Sequence, residues 1–291
     1  MRTRTKTSVH TTEVLTVASK NTGQEYRISI SLPASYHHKP NTSFPTIYVV
    51  DGNLLFEIVT GIARMMQQGK VIPEVVVVSI GYPLEGFYGD DFRQFFVRRA
   101  KDFTSVVDKQ YERSLGDLFK IQHMEIETGG AEHFLKFITK ELTSMIEAGY
   151  RVSSVDKTLL GHSTGGHFVL YTLLHQPQAF QRYVVGSPSL GIGQRVLFNM
   201  ESEYAKQHKE LPVKLFIGIG EEEEHSSFSP AGYLDTIVSV SDYYRFAAIM
   251  DDRGYDGLKF SKKLFEGYGH TDVVGPIVSM GLKNVFANNS E

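Results

Sequence analysis

The chain of 291 residues has no cysteine and no tryptophan, and its charge is nearly balanced. The absence of cysteine excludes disulfides, thiol catalysis and cysteine-ligated metals. Because tryptophan is absent while 15 tyrosines and 19 phenylalanines are present, any aromatic wall of a binding site must consist of tyrosine and phenylalanine. The net charge of −3 and the lack of a long basic run give no indication of a nucleic-acid partner.

No apolar stretch approaches twenty residues, so the sequence predicts no membrane span. Residues 1–20 lack the hydrophobic core of a signal peptide, which favours a cytoplasmic location, although a mature form whose leader has been removed would look the same. No spacing of histidines and carboxylates resembles a metal site, and we expect neither a metal nor a cofactor.

The pattern along the chain predicts the fold class. We find no repeat, low-complexity tract or linker, so the simplest interpretation is one domain over residues 1–291. From residue 45 onward, β-rich runs alternate with segments of helical spacing, which predicts an α/β fold with a mostly parallel, doubly wound sheet. The predicted strands include 13–18, 25–32, 45–50, 75–80, 183–185, 213–219 and 259–265, and the predicted helices include 54–68, 132–147, 234–253 and 275–286.

Residues 82–128 differ from the rest because aromatic, glycine, aspartate and arginine residues are mixed there with little periodicity. A segment so long and irregular in a compact domain is usually a lid, a binding loop or disorder, and its aromatic content argues against disorder. We therefore expect an irregular, aromatic, lid-like insertion. It follows a predicted strand and should leave at the carboxyl edge of the sheet, where ligands bind.

The most informative motif is the G-x-S-x-G sequence at residues 161–165, which follows a predicted strand and precedes an apolar helix. In that context the motif is a nucleophile elbow, which holds Ser163 at a sharp turn with its hydroxyl exposed. The turn demands tiny residues two positions before and after the serine, and Gly161 and Gly165 meet that demand. The N–H of Thr164, the next residue, is then free to stabilise an oxyanion.

A serine nucleophile needs a histidine to take its proton and a carboxylate to orient that histidine. His270 lies in a glycine-flanked loop after the last predicted strand, so we interpret it as the catalytic base. His162 is interpreted as a supporting residue. The acid should follow a strand between the serine and the histidine, and strand 213–219 runs into four glutamates, Glu221–Glu224. Spacing alone does not say which of the four it is.

With these residues in place, the sequence resembles the esterase family of α/β-hydrolases that includes the ferric-siderophore (enterobactin and bacillibactin) esterases. More distantly it is similar to S-formylglutathione hydrolases and mycolyltransferases. The resemblance implies a single-domain α/β-hydrolase fold. It extends over roughly residues 13–286 and is carried by the blocks 45–53, 98–104, 129–135 and 161–190.

The resemblance also implies roles for individual residues. The family's Gly-x-x-Glu motif maps best onto residues 220–223, which favours Glu223 as the acid. The Asp-Gly-x turn implies that the N–H of Asn53 joins that of Thr164 in the oxyanion hole. The Arg-Arg-x-x-Asp-Phe-Thr block implies that Arg98, Arg99 and Asp102 shape or brace the mouth of the site. A buried ion-pair network that holds the long loop is the slightly favoured alternative to direct substrate contact.

One departure from the family pattern concerns the substrate. An aromatic residue, often tryptophan, commonly follows Ser-Pro-Ser-Leu, but this chain has Gly191-Ile192-Gly193. We therefore expect a wall of the pocket to be missing, and the substrate to differ from a catecholate siderophore.

The leading hypothesis is a cofactor-free serine ester hydrolase that works through an acyl-enzyme on a small-molecule ester. Phe87 and Phe96 of the aromatic segment, with Arg98 and Arg99 as polar anchors, predict a preference for an aromatic or medium-length apolar group. The alternatives are an acyltransferase or thioesterase with the same chemistry, a siderophore tri-ester hydrolase and, less favoured, a non-catalytic binding protein.

Overall fold

Eight strands form one sheet in the residues that the computed structural model describes, which are 11–86, 88–225 and 237–287. The strand order is β1-β2-β4-β3-β5-β6-β7-β8. The two pairs that involve β2 are antiparallel and the remaining pairs are parallel. The strands are β1 (Thr12–Ala18), β2 (Glu25–Ser31), β3 (Phe44–Val49), β4 (Val76–Gly81), β5 (Val152–His162), β6 (Arg182–Gly186), β7 (Lys214–Gly220) and β8 (Lys259–Phe265).

Helices connect the strands and cover both faces of the sheet. Continuous apolar runs such as β4, all of whose residues are buried, are typical of strands covered on both sides. The helices are α1 (Gly52–Gln68), α2 (Gly89–Phe103), α3 (Lys109–Phe119), α4 (Ala131–Lys136), α5 (Thr143–Gly149), α6 (Thr164–His175), α7 (Ile192–Gln207), α8 (Val240–Arg253) and α9 (Val274–Phe286), with a π-helical turn at Phe137–Leu142 between α4 and α5.

The core is divided by the sheet into two layers. Helices α1 and α9 pack together on one face, where Val59 and Ile277 lie over Val49 and Val184. The other described helices contribute to the larger layer on the opposite face, which is centred on α6. This arrangement confirms the prediction of a mostly parallel, doubly wound α/β fold. None of the described helices has the length and apolarity needed to cross a bilayer.

The prediction of an irregular segment over 82–128 is wrong in its local structure, because most of the segment forms α2 and α3. In α2, four of the five buried residues, Phe95, Arg99, Asp102 and Phe103, follow helical spacing. Two of these four are charged, so the apolar periodicity is broken although the helical face is continuous. The segment still lies at the carboxyl edge of the sheet, as expected, since Arg99 of α2 contacts Asp51 after β3 and Thr164 after β5.

Helix α7 was not predicted at all. It begins with a left-handed turn, since Gly193, Gln194 and Arg195 all have positive φ values. Such a start carries no ordinary capping signal in the sequence. The helix expected over 234–253 begins at Val240, and the first residues of that range, 234–236, lie outside the described residues.

Candidate active site

The chain turns sharply at Ser163, between β5 and α6. Ser163 has φ 60° and ψ −123°, a conformation that is costly for a residue with a side chain and that persists only where its surroundings enforce it. Neighbouring glycines make the turn possible. A Cβ on Gly161 would lie 2.5 Å from the carbonyl oxygen of Gly165, and one on Gly166 would lie 2.7 Å from that of Gly186. The predicted elbow geometry is therefore present.

Residues that follow three other parallel strands lie at the same edge of the sheet. Asp51 follows β3, Glu223 follows β7 and His270 follows β8. Because carboxyl ends of parallel strands meet at one edge, residues distant in sequence come together there.

His270 and Glu223 form a close pair at this edge. Nδ1 of His270 lies 2.6 Å from Oε2 of Glu223, whose side chain is fully buried. The other carboxylate oxygen accepts hydrogen bonds from the N–H of Gly220 at 2.8 Å and the hydroxyl of Ser187 at 2.6 Å. With Nδ1–H donating to the carboxylate, Nε2 of the imidazole is left as the acceptor, which is the tautomer that a general base requires.

The neighbouring glutamates of the 221–224 run face elsewhere. Glu221 accepts from the N–H of Gly267, and Glu224 accepts from the N–H of Ser241. Glu222 is exposed. The short 3-10 turn Glu221–His225 thus buries the side chain of Glu223 and leaves the other three glutamates exposed or partly exposed.

His162 contacts the loop that carries His270. Its Nε2–H donates to the carbonyl oxygen of His270 at 2.8 Å, and the two ring centroids are 4.7 Å apart. Burial lowers the pKa of His162 well below its ordinary value, so the ring is neutral at physiological pH. This hydrogen bond joins the ring of His162 to the backbone of His270.

A buried network lies next to the elbow. Nε and Nη2 of Arg99 donate to the two carboxylate oxygens of Asp51 at 2.9 and 2.7 Å. Nη1 of Arg99 also donates to Oγ1 of Thr164 at 3.1 Å, and the hydroxyl of Tyr111 lies 3.2 Å from the same oxygen. Burial alone lowers the pKa of an arginine, but the contact with Asp51 outweighs it and the pKa of Arg99 lies above its usual value. The charged side chain of Arg99 thus links α2 to the elbow.

Asn53 lies in the first turn of α1, and its side chain is bound to the backbone of Tyr82. Nδ2 donates to the carbonyl of Tyr82 at 2.9 Å, and Oδ1 accepts from its N–H at 2.7 Å. Asn53 lines a neighbouring polar cavity of about 230 Å³, whereas Thr164 lines the cavity of Ser163. The structure therefore brings Thr164, but not the side chain of Asn53, into the cavity of the serine.

The structure does not bring Arg98 to this cavity. Its guanidinium donates to the carbonyl of Glu25 at 3.3 Å and lies over the ring of Tyr82 at 5.7 Å. Asp102 is a buried brace that accepts from Gln24 and from the hydroxyls of Tyr26 and Tyr82, and burial raises its pKa to about 7. Phe87 lies outside the described residues.

The cavity beside Ser163 has a volume of about 320 Å³ and is mostly apolar. Phe96, which stacks on Phe119 with a centroid distance of 3.9 Å, forms part of its wall. The described wall contains one carboxylate, that of Asp51, and one guanidinium, that of Arg99. The two form an ion pair, so their charges neutralise each other. The lining also includes Leu54, Leu55, Ile58, Phe95, Tyr111, Leu115, Leu118, His162, Thr164, Ile237, Val238, His270, Thr271 and Val274.

Comparisons with known proteins identify the family. The Esterase family model, described as "Putative esterase", matches residues 19–254, which is well over half of the chain. The chain belongs to this esterase family. It is a carboxylic ester hydrolase with the α/β-hydrolase fold.

Two curated relatives match nearly end to end. Ferri-bacillibactin esterase BesA of Bacillus subtilis is 31% identical over 280 residues, which cover 94% of this chain and 88% of that protein. Siderophore triacetylfusarinine C esterase of Aspergillus fumigatus is 28% identical over 285 residues, covering 91% and 89%. Among solved structures, BES protein from Bacillus cereus has a TM-score of 0.79 at 26% identity and covers 99% of both chains. Siderophore hydrolase EstA from Aspergillus nidulans shares the fold, with a TM-score of 0.78 at 22% identity over 98% and 99%.

Sequence reasoning assigns no role to Asp51, which lines this esterase's cavity, and it includes Tyr111 only among the aromatic residues of the 82–128 segment. A signal for Asp51 exists, since it directly follows a predicted strand at the carboxyl edge of the sheet. A signal for Tyr111 is weaker. Together with Leu115 and Leu118 it forms an i, i+4, i+7 face, which is helical spacing, but the mixed composition of the rest of the segment hides this pattern.

Gly191, the first residue of the departure at 191–193, contacts a segment that lines the cavity. The N–H of Gly191 donates to the carbonyl of Ile237 at 2.9 Å, and Ile237 and Val238 line the cavity. The wall is therefore lined by aliphatic side chains at this point of the esterase.

Proposed function

We propose that Ser163, His270 and Glu223 form a catalytic triad and that the enzyme hydrolyses small-molecule esters through an acyl-enzyme. The observation that carries this proposal is the 2.6 Å contact between His270 and the buried carboxylate of Glu223, in a loop whose histidine lines the same cavity as the strained Ser163. The fixed Nδ1–H tautomer leaves Nε2 as the base for the serine hydroxyl.

The reaction proceeds in two halves. Oγ of Ser163 forms a bond to the ester carbonyl carbon while Nε2 of His270 takes the hydroxyl proton. The tetrahedral intermediate collapses, the bond to the alcohol oxygen breaks, and the leaving alcohol takes the proton from His270. A water then attacks the acyl-enzyme, His270 accepts its proton, and the carboxylic acid leaves as Ser163 regains its hydrogen.

The oxyanion is stabilised by backbone N–H groups at two helix starts. The first-turn N–H groups of a helix have no intrahelical acceptor, and the helix dipole favours negative charge there. Thr164 begins α6 and Asn53 lies in the first turn of α1, so their N–H groups are the proposed donors. The Arg99 contact to Thr164 supports this role because it fixes the first residue of α6.

The shape of the cavity supports an apolar substrate group. Phe96, Phe119 and Leu115 present hydrophobic surface, and Arg99 is neutralised by Asp51, so the described wall offers no unpaired cation. A volume of about 320 Å³ is at the lower end of the range for small-molecule sites. We therefore propose esters with an aromatic or medium-length apolar group as the preferred substrates.

The second candidate function is hydrolysis of a siderophore ester. It is favoured by the two siderophore esterases that match more than 90% of the chain. A ferric catecholate is a polyanion, which the neutral, apolar wall is poorly suited to bind. Relative kcat/KM for a ferric catecholate tri-ester and a p-nitrophenyl ester of medium chain length distinguishes the two candidates.

A serine-directed fluorophosphonate tests the mechanism. We expect the intact mass of the protein to increase by one probe adduct, together with loss of hydrolysis of p-nitrophenyl butyrate. Ser163→Ala should take up no probe and lose nearly all activity. Labelling that persists in this variant rejects Ser163 as the nucleophile. Acyl transfer that outcompetes hydrolysis at modest alcohol concentration would instead identify an acyltransferase.

A further inference from the structure

The hydroxyls of Tyr111 and Thr164 form a pair in the wall of the apolar cavity. They lie 3.2 Å apart, and the two residues are only 2% and 1% exposed. Thr164 directly follows Ser163, so the pair lies beside the proposed nucleophile. Both residues line the cavity itself.

Counting the protons of this pair leaves one without an acceptor in the part of the chain that the structure describes. Arg99 can only donate, so the oxygen of Thr164 accepts from it at 3.1 Å. One of the two hydroxyl protons forms the hydrogen bond between Thr164 and Tyr111. The second hydroxyl proton meets no acceptor among the residues that the structure describes.

The charge of Arg99 favours one direction of the hydrogen bond between the hydroxyls of Thr164 and Tyr111. A hydrogen bond from a guanidinium polarises the hydroxyl that accepts it and makes that hydroxyl a better donor. Thr164 then donates to Tyr111, and the phenol proton is the free one. Burial raises the pKa of Tyr111, so the phenol stays protonated and remains a donor at neutral pH.

We propose that Tyr111 is a specificity-determining residue whose hydroxyl donates to an acceptor oxygen of the substrate, an ether, hydroxyl or carbonyl oxygen within a few bonds of the scissile ester. A buried donor that a bound substrate leaves unpaired in an apolar wall is costly, so a substrate that satisfies this donor gains relative to one that does not. The preferred ester is thus apolar overall but carries one oxygen beside the reacting group. This inference rests on the proposed esterase function and adds the substrate class.

Two pairs of esters that differ by one CH₂-to-oxygen exchange test the proposal. On the acyl side, p-nitrophenyl methoxyacetate is compared with p-nitrophenyl butyrate. On the alcohol side, 2-methoxyethyl benzoate is compared with butyl benzoate. The readout is the ratio of kcat/KM within each pair, measured for the wild type and for Tyr111→Phe. Intrinsic reactivity cancels because the same esters are given to both enzymes.

We expect Tyr111→Phe to lower the oxygen-to-methylene ratio about tenfold or more in one pair, which also assigns the side of the ester that meets Tyr111. Tyr244→Phe, at a half-exposed tyrosine of α8, is the matched control and should leave both ratios within about twofold. Circular dichroism checks folding, and Tyr111→Met is a second variant that removes the phenol and keeps apolar volume.

Equal ratios in the wild type and in the folded variants overturn the inference while leaving the esterase proposal intact. A merely structural role of Tyr111 gives this result, because it lowers kcat/KM for both members of a pair alike. Failure of the wild type to hydrolyse any of the four esters rejects the proposed function, and the inference with it.

Discussion

Nδ1 of His270 donates to Oε2 of Glu223 at 2.6 Å, and the carboxylate is fully buried. The second oxygen of Glu223 is held by Gly220 and Ser187, so the carboxylate cannot turn away from the imidazole. This contact with His270 distinguishes Glu223 from the three neighbouring glutamates. It also predicts what an uncharged isostere does.

Glu223→Gln should abolish the orienting interaction without changing the packing. The amide oxygen can still accept from Gly220, but the amide N–H₂ then faces Nδ1 and favours the wrong imidazole tautomer. We expect kcat for p-nitrophenyl butyrate to fall by roughly 10²–10⁴ with little change in KM. Glu222→Gln, at an exposed neighbour, is the control and should keep wild-type kinetics. Equal losses in both variants would argue that the whole turn, and not this carboxylate, matters.

Arg99→Met tests the buried ion pair beneath the elbow. It leaves the carboxylate of Asp51 buried without its partner, which typically costs about 3–5 kcal/mol of unfolding free energy. Thr164 also loses its hydrogen bond to the guanidinium, so activity should fall in the protein that remains folded. Chemical denaturation and steady-state kinetics measure the two effects.

The neighbouring arginine is the matched control for this experiment. Arg98 lies on the same helix, but its guanidinium makes a long hydrogen bond to a backbone carbonyl and a contact with a tyrosine ring, and it forms no salt bridge among the described residues. Arg98→Met should cost less than about 1 kcal/mol, as expected for a partly exposed charge. Comparable destabilisation by the two substitutions would contradict the role assigned to Arg99.

Sequence alone was sufficient for features encoded locally. The elbow at Ser163 and the glycine-flanked loop of His270 follow from short motifs and strand ends, and the fold class follows from the alternation of strands and helices. Choosing Glu223 within its run required the family motif, because four adjacent glutamates are equivalent until the 3-10 turn orients them.

Features that depend on distant partners were not readable in the same way. Asp51 and Arg99 are 48 positions apart, and only the approach of α2 to the elbow pairs them. Helix α2 itself was misjudged because buried charged residues interrupt its apolar face. The start of α7 uses left-handed residues that are held by tertiary contacts, such as the N–H of Gly193 bound to Asp108 at 2.8 Å.

His167 should make stability depend on pH. It is fully buried in α6, its Nδ1–H donates to the carbonyl of Ser189, and its Nε2 accepts from the hydroxyl of Ser105. Burial lowers the pKa of His167 to about 4, against about 6.5 in the unfolded chain. At a pH between these two pKa values, the imidazole of His167 therefore binds a proton in the unfolded state but not in the folded state. The stability from this group is complete above pH 6.5 and is lost as pH falls towards 4, by roughly 3 kcal/mol in all.

Urea denaturation from pH 7.5 to pH 4.5 measures this effect. His167→Asn keeps the donor to Ser189 but does not titrate, so its unfolding free energy should fall less steeply with acid than that of the wild type. His37→Gln, at an exposed histidine, should retain the wild-type slope. Parallel curves for the wild type and His167→Asn would show that His167 is not the titrating group.

Phe96→Ala should change which esters the enzyme prefers. The ring forms part of the cavity wall and stacks on Phe119 with a centroid distance of 3.9 Å. Its removal therefore extends the apolar cavity that is available to the substrate. We expect the ratio of kcat/KM for p-nitrophenyl octanoate to that for the butyrate to rise about tenfold, since methylenes in an apolar pocket have effects of this order. Phe92→Ala is the matched control, because Phe92 packs against Phe96 and Phe119 without lining the cavity. If both variants shift the ratio equally, or neither does, these rings serve only to pack α2 against α3, and the preference for apolar esters must have another origin.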